Sequence, residues 1–179
     1  MMILNFSPAI LTQRLKELGV PKNLTAFYFA IPFLFPVFSA AIYMKFHKYI
    51  RDNNWIMIGK FFMIIGVSLM GPGYVFELLF ESYKIYVMTL GIIILGFSTS
   101  FNIIPLFPLL MREIKHIYCL ETTDVTDLVS GVYTAAFGVG TIIGPLLGAY
   151  LDSLIGFRLT TDVLSFAVVL LLICMVVKF

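Results

Sequence analysis

The sequence predicts an all-α integral membrane protein, a helical bundle with five full transmembrane helices, on three observations. Of its 179 residues 60% are hydrophobic and 12% charged, with a mean hydropathy of +1.01, whereas a soluble domain carries roughly a quarter charged residues. Eighteen Phe, nine Tyr and nine Met stand against ten acidic and twelve basic side chains, too little polarity to cover a globule. The charges also fall between long apolar runs, and a run of about 20 apolar residues is what one bilayer-spanning helix needs. The lipid bilayer is therefore the first partner implied. A net charge of +2, scattered among these runs, forms no basic surface and excludes a nucleic-acid partner.

Residues 1–23 precede the bundle. Met1-Met-Ile-Leu-Asn-Phe6 is too short to span and lacks the basic start of a secretory signal, so it reads as the remnant of a preceding helix. Leu11, Leu15 and Leu18 then share one helical face, with Gly19 and Pro21 as stop signals, which predicts a short interfacial helix.

The transmembrane bundle occupies residues 24–179. The first span, about 24–43, is uncharged and crowded with aromatic residues. The second, about 55–74, carries Lys60 toward one end, where a long stem can snorkel, and stops at Gly71-Pro72-Gly73. The third, about 85–110, lies in a run too long for a perpendicular helix, so it should tilt or bend, with Pro105 and Pro108 as the kink. The fourth, about 128–151, is rich in Gly and Ala. The fifth, about 160–178, is short of apolar residues and must recruit Thr160 and Thr161 to cross.

Lys and Arg counts set the sidedness, because cytoplasmic loops retain basic residues. Lys45, Lys48 and Arg51 after the first span and Arg112 and Lys115 after the third place those connections inside; Arg14, Lys16 and Lys22 run against this majority. Cys119 falls in a connection and Cys174 within the last span, at different depths, so no disulfide is expected.

Local patterns resemble one superfamily of carriers. Pro8-Ala-Ile-Leu-Thr-Gln-Arg-Leu-Lys-Glu-Leu-Gly-Val20 followed by Phe29-Ala-Ile-Pro-Phe-Leu-Phe35 resembles the seventh-to-eighth helix connection of the major facilitator superfamily. Gly131 through Gly148, with its Gly-x-x-x-Gly-Pro-x-x-Gly run, is similar to that superfamily's eleventh helix. Asn102-Ile-Ile-Pro105, Leu128-Val-Ser-Gly131 and Gly156-Phe157-Arg158 are most similar to the vesicular amine and polyamine branch.

The resemblance implies helices eight to twelve plus the end of seven, a missing amino-terminal six-helix half as partner, and a small-molecule substrate, an organic cation or amine in the branch named. In one loop the sequence departs from the pattern. Where the superfamily usually reads Gly-x-x-x-Asp-Arg-x-Gly-Arg, this chain has Met44-Lys-Phe-His-Lys-Tyr-Ile-Arg51-Asp52. The acid that would interlock the cytoplasmic gate is missing at its usual place, so gating contacts do not carry over.

Two groups of residues are site candidates. Ser98, Thr99, Ser100 and Asn102 form the densest polar group within a span, just before Pro105; a kinked helix there can turn carbonyls and an Asn amide toward a cavity or toward a neighbouring helix. Tyr133 and Thr134 on the next span are further substrate-cavity candidates, and Tyr28 could meet a cation with its ring face. Gly140, Gly144 and Gly148 recur every fourth residue and form a stripe for close helix packing that could also move during gating, with Gly138 a further packing candidate and Pro145 breaking the helix ladder.

No Asp, Glu or His lies inside the five spans away from their ends, where Asp152 and Asp162 fall, and Glu77 and Glu81 lie at the expected outer mouth. His47 and His116 have no ligand-spaced neighbours, so no metal and no cofactor is expected. No phosphate loop or nucleophile elbow occurs, and nothing supports catalysis. The expectation is a secondary active transporter working by alternating access. Its rival is a non-transporting membrane helper that associates through the Gly140, Gly144 and Gly148 face.

Overall fold

The computed structural model describes residues 11, 15, 21–71, 84–118 and 122–178. Four helices are α1 (Lys22–Phe46), α2 (Asp52–Met70), α3 (Lys84–Ile103) and α4 (Leu106–Tyr118). Thr122–Lys178 is helical throughout except at Gly156, whose φ of 78° and ψ of 164° reverse the chain. Only glycine occupies that backbone region readily, and it divides the segment into spans α5 (Asp124–Phe157) and α6 (Leu159–Val177). Among the described residues five stretches are long and apolar enough to cross a membrane, with α3 and α4 together making one of them. Among the described residues there is no strand. The chain is an integral, multi-pass membrane protein.

Contacts fix the directions of the helices. Gly96 of α3 lies against Pro32 of α1, and one turn further on Ser100 bonds the Pro36 carbonyl, so α1 and α3 run parallel. Gly66 faces Gly91 and Gly59 faces Asn102, so α2 runs antiparallel to α3. Ser68 bonds Ser165 at 2.9 Å and the Thr161 hydroxyl donates to the Gly71 carbonyl at 3.4 Å, making α6 antiparallel to α2. The α2–α3 pair is the centre of the bundle.

Its core is layered along this pair. Met70, Met88 and Ile92 pack with Leu11 and Leu15 toward the Gly71 end; Met63, Val67 and Leu95 pack with Leu164 and Val168 of α6 at mid-depth; Tyr43, Trp55 and Phe101 fill the Asp52 end. Leu11 and Leu15, expected at the interface, are helical and sealed inside the first of these layers. Their apolar stripe finds better cover against methionine side chains than at a headgroup surface. Tyr28 packs beside the same layer. Leu18, the segment before Leu11, and Pro72, Gly73 and Tyr74 at the expected end of the second span lie outside the described residues.

Several boundaries differ from those read in the apolar runs. α2 begins at Asp52, because Asp52, Asn53 and Asn54 form its first turn and an acid suits the positive end of a helix. Lys60 consequently stands near the middle of a 19-residue helix and not toward one end. α4 carries Arg112, Glu113, Lys115 and His116 on an unbroken helix to Tyr118, since a helix leaving the membrane needs no apolar residues to continue. The helix also passes through Pro145 without a break.

Candidate functional site

The polar group of the third span sits just before the one interruption of that span. α3 ends at Ile103 and α4 starts at Leu106, with Pro105 buried between them. A proline there has no N–H to give the carbonyl four residues back, so the helix ladder opens. The Ile104 N–H still reaches the Ser100 carbonyl at 3.0 Å and the Leu109 N–H reaches that of Pro105 at 3.2 Å, bounding the kink to one turn. Pro108 is exposed within α4 and lies beyond the break.

Around this kink the donors are directed at main chain. Ser98, fully buried, donates to the Leu95 carbonyl at 2.7 Å, and Thr99 to the same carbonyl at 3.1 Å. Ser100 reaches across to the Pro36 carbonyl of α1 at 2.6 Å. Asn102 Nδ2 donates to the Ser98 carbonyl at 2.9 Å, while its Oδ1 is buried with no partner. The Asn102 amide rests on Gly59 of α2, where a Cβ would come within 2.7 Å of Nδ2. Within this belt the Asn102 amide carbonyl is the side-chain acceptor left without a partner, one that could accept from an N–H or O–H.

Tyr133 of α5 is half-buried, and its ring meets Phe107 of α4 edge-on, with centroids 6.0 Å apart. The structure thus brings Ser98 and Asn102 together, and sets Tyr133 beside the far side of the kink with no hydrogen bond or ring contact to Asn102. Thr134 is exposed. Gly140, Gly144 and Gly148 are all buried and Pro145 is half-buried. A Cβ at Gly138 would meet nothing within 4 Å.

Two features had no counterpart in the sequence reading. An aromatic ladder runs along the seam: Tyr43–Trp55 at 5.5 Å, Trp55–Phe101 at 4.9 Å, Phe101–Phe97 at 5.3 Å and Phe97–Phe62 at 6.2 Å between ring centroids. At its foot Asp52 accepts from the Tyr43 hydroxyl at 3.2 Å and pairs with Arg112 at 2.5 Å. Asp52, the first residue of α2, thus ties α1, α2 and α4 together. The i, i+4 pair Phe97 and Phe101, below the chain's one Trp, was the available signal.

Among the described residues no group of three His, Cys, Asp or Glu could hold a metal ion. His47 Nδ1 lies 2.8 Å from the Met44 carbonyl of its own turn, and His116 is exposed on α4. Cys174 is a free, exposed cysteine of α6, whereas Cys119, Glu77 and Glu81 lie outside the described residues.

No protein-family model matches the chain, and no solved structure does. Curated relatives do. The chain is 28% identical over 142 residues to the human MFS-type transporter SLC18B1, covering 76% of this chain and 30% of that protein. It is 28% identical to the mouse protein of the same name over 107 residues, 59% of this chain and 23% of the relative. The rat protein is 30% identical over 106 residues, 55% of this chain and 23% of the relative. The chain spans less than a third of the length of these relatives.

Proposed function

We propose, from the premise that this chain is a relative of MFS-type transporters, that it forms one wall of a solute pathway in a secondary active transporter. The observation that carries this reading is the similarity to MFS-type transporter SLC18B1 across most of the chain. In an alternating-access carrier of inverted repeats, one bundle rocks against another around a site near the bilayer midplane. α1 and α5 suit such a contact, because both present long rows of exposed apolar side chains, among them Phe33, Val37, Ile142 and Leu146. An amino-terminal six-helix half is the partner proposed for them.

The solute is a small organic molecule, and an organic cation is the class we favour. The free Asn102 carbonyl suits an ammonium donor. The acids of the described spans, Asp52, Glu113, Asp124, Asp127, Asp152 and Asp162, all stand near span ends. A mid-depth countercharge and the coupling ion's site are therefore assigned to the opposing half.

Proteoliposomes test this directly. Uptake of a fluorescent organic cation is expected when this chain is reconstituted with the amino-terminal portion of the human relative, and not when either is present alone. Uptake by this chain alone, or none with both parts assembled, would overturn the proposal.

A further inference from the structure

At the expected cytoplasmic end of the bundle, Arg51 stands between two clefts. One, of about 300 Å³, is lined by Arg51, Asn53, Asn54 and Met57 of the α2 end and by Val176 of α6. The other, of about 200 Å³, runs round the α1–α2 loop past His47, Lys48 and Arg112. Asp52, which also lines it, is engaged by Arg112 and Tyr43. The side chains of Arg51 and Lys48 are exposed and have no hydrogen-bond or ion-pair partner among the described residues, and Asn53 Oδ1 is buried with none. Uncompensated cations, an unsatisfied acceptor and an apolar floor therefore meet at one depth, between two membrane spans.

We propose that this place seats the headgroup of an anionic, amine-bearing phospholipid of the cytoplasmic leaflet, of the phosphatidylserine type. Arg51 and Lys48 take the phosphate, the Asn53 carbonyl oxygen accepts from the headgroup ammonium, and an acyl chain lies along Met57 and Val176. A free phosphate would use the cations but has no use for the apolar floor. The cytoplasmic leaflet is the anionic one, and each basic residue near its surface favours such lipids.

Trp55, the chain's one tryptophan, follows Asn54 directly and reports on the site. In phosphatidylcholine liposomes, brominated phosphatidylserine should quench Trp55 as though enriched about fivefold over brominated phosphatidylcholine at equal mole fraction, the effect of roughly one basic contact. Arg51→Gln should remove that preference, and Val176→Phe, which fills the floor, should reduce it. If Arg51→Gln fails to fold, as judged by circular dichroism, Lys48→Gln takes its place with the same expectation. Soluble glycerophosphoserine should not compete. Equal quenching by the two lipids, a preference unchanged in the folded Arg51 or Lys48 variant, or displacement of the lipid by glycerophosphoserine would each overturn the proposal.

Discussion

The α2–α3 seam and the outer faces of α1 and α5 use the same residue types to opposite ends. At the seam, a Cβ on Gly66 would lie 2.8 Å from the Leu95 nitrogen and one on Gly91 2.6 Å from the Met70 nitrogen, so two backbones touch with no room for a side chain. On the outer faces Phe33 is 72% exposed, Val37 68% and Leu146 66%. Without a hydrophobic drive between helices in lipid, close backbone approach is what holds a bundle together, and bulky apolar residues are free to face lipid or another bundle. Glycine by itself does not tell which situation holds: Gly91 is jammed against backbone and Gly138 is open, although both sit in apolar helices.

The strongest way to break this contrast is one substitution made in both places. Gly91→Ala should cost about 1–3 kcal/mol, because the clash is with main chain and a helix must shift. Gly138→Ala should cost nothing and could gain up to about 1 kcal/mol from helix propensity alone. Reversible unfolding in mixed micelles reads both, and equal losses would mean that the seam is no tighter than the outer face. Next in size is Ser100→Ala, which removes the hydrogen bond between α3 and α1; a loss of about 0.6–1.7 kcal/mol is expected. Thr99→Ala, whose bond closes on its own helix, should lose less.

The helix count and the membrane class were legible because they rest on run length and charge placement, which a bilayer imposes residue by residue. The Pro105 kink was legible for a similarly local reason, the missing N–H. Contacts between spans were not. Nothing in the order of residues says that Gly59 lies under Asn102, or that Gly66 meets Gly91, because those pairings depend on which helices become neighbours. Lys60 stands nearer mid-helix than its apolar run suggests, because a helix N-terminus readily accepts polar Asp52, Asn53 and Asn54 ahead of that run. The order of residues likewise hid the partner of Asp52, because Arg112 lies sixty residues on.

That ion pair gives a smaller effect. Arg112 is 58% exposed and Asp52 14%, so solvent screening limits the pair, and a double-mutant cycle on Asp52→Asn and Arg112→Gln should return a coupling of about 0.5–1 kcal/mol. The coupling should shrink as salt is raised, since one partner is open to water. A coupling near zero would demote the contact to an incidental surface pair and leave Tyr43 as the main tie on Asp52.

The smallest effect on stability is expected at Asn102, and it separates a structural amide from a solute-facing one. Asn102→Ala removes the bond to Ser98, worth about 1 kcal/mol, but it also removes a buried carbonyl oxygen that has no partner and so carries a desolvation cost of similar size. The two should nearly cancel, leaving stability within about 0.5 kcal/mol of the wild type. If Asn102 lines the pathway of the carrier proposed above, the same change should shift selection among organic cations, because an acceptor has been removed. If instead Asn102→Ala costs well over 1 kcal/mol and leaves selection untouched, then the amide is packing that caps Gly59 and takes no part in recognising a solute.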